Sequence, residues 1–240
     1  MPILTHFMPD PERLAVLKDC IDSYGVGDDE SAEWPNNILS RQTIVYSNGT
    51  IARASESVTF SVDSNELDLC VRLAHEAAKI MEGEEVGLGS ESSAGFSAFW
   101  ICTNTESIAT KINEPLVRTY FGDTIFPPAT IEIEPTTENS PTFSYIREGA
   151  EELSEDDPEN TDDYETTVNK WRRLFQWFNE QTDFQDTAYI SIGDTRELWY
   201  LPRDKYPPGT EMTPCVLPHL VLGLTQNGSM CGLFGFIVQT

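Results

Sequence analysis

The chain has 240 residues, of which 39% are hydrophobic and 10% aromatic, enough for one large domain, or an ordinary domain with a sizeable extension, and too apolar for global disorder. Forty acidic side chains against fifteen basic ones give a formal net charge of −25. Such a field repels a nucleic-acid strand and favours a partner that presents a basic cleft.

From the N-terminus, Asp10-Pro11-Glu12 reads as a helix opening, a capping carboxylate followed by proline at the first helical position. Leu14, Leu17 and Ile21 continue it at helical spacing, and Gly25 and Gly27 end it. Residues 43–46 and 50–53 flank Asn48-Gly49, a hairpin signal because that turn needs positive φ. A third strand is expected over 58–62. Together these form a helix-and-hairpin extension, residues 1–67, packed on a main domain of residues 68–240.

Asp63 and Glu66 have the spacing of a capping box for a helix from 66 to about 82. Its narrow apolar face, Leu67, Cys70, Val71, Ala74, Ala77, Ala78 and Met81, suits close approach to a sheet, and Gly83 stops it. A loop over 86–95 leads to a buried strand over 96–103. A short helix is expected around 115–121 and a strand over 130–134.

Residues 148–165 hold ten acidic side chains, no basic one, and Pro158; the pattern predicts a solvated loop. The best-defined helix follows over 162–181, with Tyr164, Val168, Trp171, Leu174, Phe175 and Phe178 on one face. Early acids and later Lys170, Arg172 and Arg173 suit its dipole. The remainder is mostly strand: 188–192, a Gly193-Asp194 turn, 197–201, a proline-rich excursion over 202–218, 220–225, an Asn227-Gly228 turn, and 232–238.

Familiar catalytic patterns are missing. The sequence has no phosphate loop, GxSxG elbow or HExxH motif. Gly87-Leu88-Gly89-Ser90 follows a helix, whereas a phosphate loop follows a strand and opens a helix. Five cysteines and three histidines lie far apart with no CxxC pair, which argues against a zinc site or a disulfide framework. Cys70 and Cys102 fall in apolar segments where a thiol is buried and inert. His75 has Glu76 beside it, but adjacent helical residues point apart. No cofactor, no metal of its own and no catalytic residue are expected. Residues 1–9 lack the basic start and apolar stretch of a secretory signal, and no run approaches the roughly 20 apolar residues of a membrane span. The expected location is the cytoplasm.

Two segments carry a resemblance. The first is the helix ending at 74–85, then Leu88-Gly89-Ser90-Glu91-Ser92, then the strand from Phe96. The second runs from the acidic stretch through the 168–178 helix, 189–193 and 197–201, to a glycine-containing strand ending Val238-Gln239-Thr240. In order and spacing these resemble the nuclease A inhibitor family over about residues 68–240. The resemblance implies an α/β fold, an α-β-α sandwich with a mainly antiparallel or mixed sheet. It also implies inhibition of a sugar-non-specific, magnesium-dependent endonuclease of DNA and RNA. Glu91, flanked by Ser90 and Ser92, matches the family's glutamate that pairs with a nuclease arginine. Thr240, preceded by Gln239, matches the threonine that reaches the nuclease's magnesium.

Physical chemistry suits both roles. A carboxylate forms a strong charge-assisted pair with an arginine that would otherwise hold phosphate, and magnesium accepts a projecting oxygen in place of water or substrate. The two would imitate a phosphodiester without offering a bond to cut. Without the resemblance, Glu91 reads as a polar loop residue and Thr240 as an inert end. The sequence also departs from the family: Ser93-Ala94-Gly95-Phe96 replaces an aromatic-proline-phenylalanine entry, residues 156–163 just before the long helix hold no tryptophan, and Gln239 stands where the family has glutamate. An alternative reading is therefore a protein-interaction module of the same fold without nuclease inhibition. Arg outnumbers Lys ten to five, which also leaves open a high-salt proteome as the origin of the charge.

Overall fold

The computed structural model describes residues 4–5, 43–45, 51–53, 63–86, 92–93, 95–103, 109–121, 130–192 and 216–238. Expectations for the helix over 10–24, the strand over 58–62 and the strand over 197–201 fall outside these residues. The N-terminal region contributes strands β1 (Leu4–Thr5), β2 (Thr43–Val45) and β3 (Ile51–Arg53). β2 and β3 pair antiparallel, with Val45 opposite Ile51.

The chain is a mixed α/β protein built on an antiparallel sheet. Its body is five strands, β5 (Ser97–Thr103), β6 (Ile131–Glu134), β7 (Phe184–Ile192), β8 (Val216–Thr225) and β9 (Met230–Val238), in the order β5-β9-β8-β7-β6. Two-residue strands flank it: β1 lies outside β5, and β4 (Ser92–Ser93) pairs with the end of β9. The β8–β9 hairpin closes through residues 226–229, where Gly228 takes a φ of 85° that a side chain would resist.

Four helices are described: α1 (Ser64–Ile80), α2 (Glu114–Phe121), α3 (Pro141–Asp156) and α4 (Thr161–Glu180). Side chains alternate across a strand, so Phe96, just before β5, and Trp100 within it face the same way. Phe96 meets Trp171 of α4 edge-on at 5.4 Å, and Trp100 lies 5.9 Å from His75 of α1. Tyr189 of β7 also meets Trp171, at 6.1 Å. Helices α1 and α4 therefore share one face of the sheet. Phe99 and Ile101 of β5, Leu220, Leu222 and Leu224 of β8, and Ile190 and Ile192 of β7 alternate to the other face and are equally buried. Strands covered on both sides read as continuous apolar runs, as 220–224 does.

The apolar stripe expected on the long helix is the core of α4: Val168, Trp171, Leu174, Phe175 and Phe178 are buried, each worth roughly 1.5–3 kcal/mol of gross transfer free energy. Tyr164 of that stripe is only half-buried.

Three local expectations are corrected. The acidic run over 148–165 is not a loop. It is the second half of α3, a 3-10 turn over Pro158–Asn160, and the start of α4. Ser140 caps α3 by accepting the Phe143 amide at 3.2 Å, Pro141 sits in the first turn, and Thr142, Phe143 and Ile146 are buried. Phe143 packs on Phe175 at 5.9 Å. One anchored apolar face is enough to hold a helix whose other faces carry acids in water, and Pro158 begins a turn rather than interrupting one.

The second correction concerns Glu66. Asp63 does cap α1, its Oδ1 accepting from the Asn65 and Glu66 amides at 2.8 and 3.2 Å. The Glu66 side chain does not complete a capping box; it is buried and bound to the β8–β9 turn. The third concerns the proline-rich excursion, whose last three residues belong to β8. Pro218 is opposite Phe236 of β9, one step beyond the last β7–β8 pair, Ser191 with His219. A proline is tolerated there because β8 no longer has a partner on both sides.

Candidate partner-binding site

The segment between α1 and β5 is fastened at its base from three directions. Glu84 Oε2 accepts the Thr167 hydroxyl at 2.7 Å and Oε1 accepts Lys170 Nζ at 2.8 Å, tying the end of α1 to α4. Lys170 Nζ also donates to the Glu82 carbonyl at 2.9 Å. Glu85 and Gly95 form an antiparallel bridge that closes the segment on itself. Val86 and Phe96 then cover Gly235 of β9: a Cβ built there would stand 2.4 Å from Val86 Cγ2 and 3.0 Å from Phe96 Cδ1. Gly83, with φ 82°, makes the sharp exit from α1 that starts this arrangement.

Beyond the bridge the chain joins the sheet twice. Ser92 is opposite Val238 and Ser93 opposite Ile237, whereas Ser97 is opposite Phe234. Four steps along the 93–97 side match three along β9, so the chain carries one extra residue between β4 and β5. Of the five residues expected at the partner-binding site, Ser92 lies in β4, and Ser90, Glu91, Gln239 and Thr240 fall outside the described residues. The described neighbours of the two key positions are paired: Ser92 adjoins Glu91, and Val238 stands two before Thr240.

Three polar groupings were not legible as sites. Glu66, 4% exposed, accepts the Thr225 hydroxyl at 2.6 Å and the Asn227 amide at 2.7 Å, and Cys70 Sγ lies 3.9 Å from it. The Ser229 amide donates in turn to Thr225 Oγ1 at 3.0 Å. The carboxylate thus pins α1 to the hairpin turn.

The second grouping is Tyr189 and His219, hydrogen-bonded through Nδ1 on the α1/α4 face. Burial pushes His219 down to about 4, and burial with the nearby Glu134 charge pushes Tyr189 well up. Both are neutral at pH 7.

The third is Cys70, Cys102 and Cys231, all buried and not joined in disulfides. The Cys70–Cys102 contact lowers the Cys70 thiol but is outweighed by the Cys231 contact and burial, leaving it well above its ordinary value. The contact with Cys70 and burial also raise Cys102. Neither supplies a thiolate nucleophile near neutral pH. Among the described residues no cluster of three or more His, Cys, Asp or Glu has the geometry to hold a metal ion, and no described helix is long and apolar enough to cross a membrane. His75 is exposed on α1.

Carboxylates dominate the described surface. On α3, Glu148, Glu151, Glu152, Glu155 and Asp156 are all exposed, against one basic residue, Arg147. The arrangement offers oxygen acceptors to a cationic partner. Comparison with protein-family models and with curated proteins gives no match to this chain.

Proposed function

We propose that this chain is an acidic protein inhibitor that occupies the basic, metal-containing active site of a nuclease, using Glu91 and Thr240. The observation that carries the reading is the pairing of Ser92 with Val238. It joins the segment leading out of Glu91 to the strand leading into Gln239 and Thr240, two stretches far apart in the sequence. A phosphate mimic needs both oxygen-bearing groups on one surface, and a shared ladder is a direct way to bring their carriers together. The anchoring of Glu84, Glu85, Gly95 and Phe96 supports it further, since fixed flanks lower the freedom that a binding segment between them loses. Net charge of −25 would speed encounter with a basic cleft.

In this reading the architecture is an α-β-α sandwich over about residues 68–240, of the kind found in the nuclease A inhibitor family. Helices α1 and α4 form one layer, and α2 belongs to the other. The α2 region is tied to the sheet: Asp186 Oδ2 accepts the Ile112 amide at 2.6 Å, Gln185 Nε2 donates to the Ala109 carbonyl at 2.6 Å, and the Tyr120 hydroxyl donates to the Gly228 carbonyl. The partner is a magnesium-dependent, sugar-non-specific endonuclease in the cytoplasm. Glu91 pairs with its phosphate-binding arginine and Thr240 supplies oxygen to its magnesium, while Ser90, Ser92 and Gln239 frame the contact.

The test compares three purified proteins against such a nuclease: the wild type, Glu91→Ala, and the chain lacking Thr240. The expected result is inhibition by the wild type and loss of at least tenfold in each variant. Equal inhibition by all three would remove the mechanism. A second reading, an interaction module of the same fold without nuclease inhibition, is favoured by one observation, the exposure of Tyr145 and Leu153 on α3.

A further inference from the structure

Tyr145 and Leu153, 53% and 51% exposed, are the large hydrophobic residues left open among the described residues, and both are on α3. They stand eight residues apart, about two turns or roughly 12 Å along the helix. At 100° per residue they fall within one 80° stripe, with Gly149 midway between them. A Cβ at Gly149 would meet nothing within 4 Å, so the stripe has a notch in its centre. Two apolar projections around an open notch can receive a side chain from another molecule.

A row of carboxylates borders the stripe. Glu148, Glu152 and Asp156 recur every four residues one helical row away, and Glu151 and Glu155 form a second row behind them. All five are exposed. Arg147 approaches Glu148 and Glu151 only at 3.9 and 3.8 Å, with both partners well solvated, so it neutralises little. The placement works against the helix itself. Like charges four apart repel, and the C-terminal turn of a helix favours cations, yet that of α3 has no basic residue. Choices that weaken a helix locally, where plain solubility could be had elsewhere on the surface, mark a contact surface.

We propose that this face of α3 is a docking row for a basic, amphipathic protein segment, whose apolar side chain enters the notch between Tyr145 and Leu153 and whose Lys and Arg residues meet the flanking carboxylates. Charge complementarity selects this occupant. A second copy of the chain would bring two acidic rows together, and a nucleic acid or an anionic membrane would be repelled. The surface is independent of the Glu91 and Thr240 reading and stands or falls separately from it.

The experiment titrates the purified full chain into two fluorescent probes at 150 mM salt. One is a synthetic helical peptide with Leu and Lys on opposite faces, and the other is an oligolysine of equal charge. Tyr145→Ser with Leu153→Ser is expected to weaken the amphipathic peptide at least tenfold and leave oligolysine unchanged. Glu152→Lys with Asp156→Lys is expected to weaken both probes while raising the melting temperature, which separates loss of contact from loss of fold. If the double serine variant binds the amphipathic peptide as the wild type does, or if the wild type prefers oligolysine, the proposal is overturned.

Discussion

Glu66, in the first turn of α1, accepts a hydrogen bond from the hydroxyl of Thr225, 159 residues later, at 2.6 Å, with both side chains buried. The contact lets a helix and a distant hairpin turn fix each other's position. Its second oxygen takes the Asn227 amide, so the carboxylate is held on both sides. A charge buried this way is tolerated because it is hydrogen-bonded, and removing it strands its donors. Glu66→Ala is expected to destabilise the protein by about 3 kcal/mol in urea denaturation, from two lost hydrogen bonds to a charged group at about 1.5 kcal/mol each. A loss below about 0.5 kcal/mol would mean that the turn holds without it.

Two glycines should respond oppositely to alanine. At Gly232, φ is 156° and a Cβ would stand 2.1 Å from the Val221 carbonyl oxygen and 2.9 Å from Phe178 Cζ. Backbone cannot yield as a side-chain tip can, so Gly232→Ala is expected to cost about 3 kcal/mol or more. At Gly149, inside α3 and with room for a Cβ, alanine is expected to stabilise by about 0.5–1 kcal/mol through helix propensity. Thermal melts of the two variants check both signs.

His219 makes stability depend on pH. Burial lowers it from 6.5 to about 4, so the unfolded chain binds a proton at pH 5 that the folded chain does not. Its contribution is complete above about pH 6.5 and is lost as pH falls towards 4, a loss of up to about 3 kcal/mol over that window. Carboxylate protonation relieves the acidic self-repulsion over the same range, so the measurement is a difference: His219→Gln, which cannot titrate, should lose less stability than the wild type between pH 7 and pH 4.5. Parallel curves would show that His219 is not held neutral.

The base of the 84–96 segment should report on the α4 clamp. Lys170 holds Glu84, whose side chain is 15% exposed against 30% for the lysine, and the Glu82 carbonyl at once. Lys170→Met is expected to cost about 1–2 kcal/mol, the worth of a partly buried charge-assisted contact, and to speed amide exchange of Val117 far less than that of Glu84 and Glu85. Equal acceleration at Val117, Glu84 and Glu85 would show that the clamp has no local role.

The sequence revealed elements whose cause is local and concealed those whose cause is distant. Helix α4 was legible because its buried Val168, Trp171, Leu174, Phe175 and Phe178 repeat at helical spacing. Helix α3 was hidden because its few buried residues, Thr142, Phe143 and Ile146, precede the acidic run that occupies most of its length. Asp63 behaves as its position suggests, but Glu66, three residues on, answers to Thr225 and Asn227 instead of to its own helix. Pro218 concealed the start of β8 because its tolerance depends on where β7 stops. Glu91 and Thr240 came from resemblance in order and spacing, since no periodicity marks a projecting oxygen. The α3 docking row was illegible for another reason: Tyr145 and Leu153 become exposed only by the way α3 lies against α4.

The most direct measurement titrates the purified chain into a sugar-non-specific, magnesium-dependent endonuclease while cleavage of DNA and of RNA is followed in parallel. A protein that fills the metal-containing cleft blocks both substrates with one inhibition constant, which weakens as salt rises. Undiminished cleavage of both at a large molar excess of the chain would contradict the account.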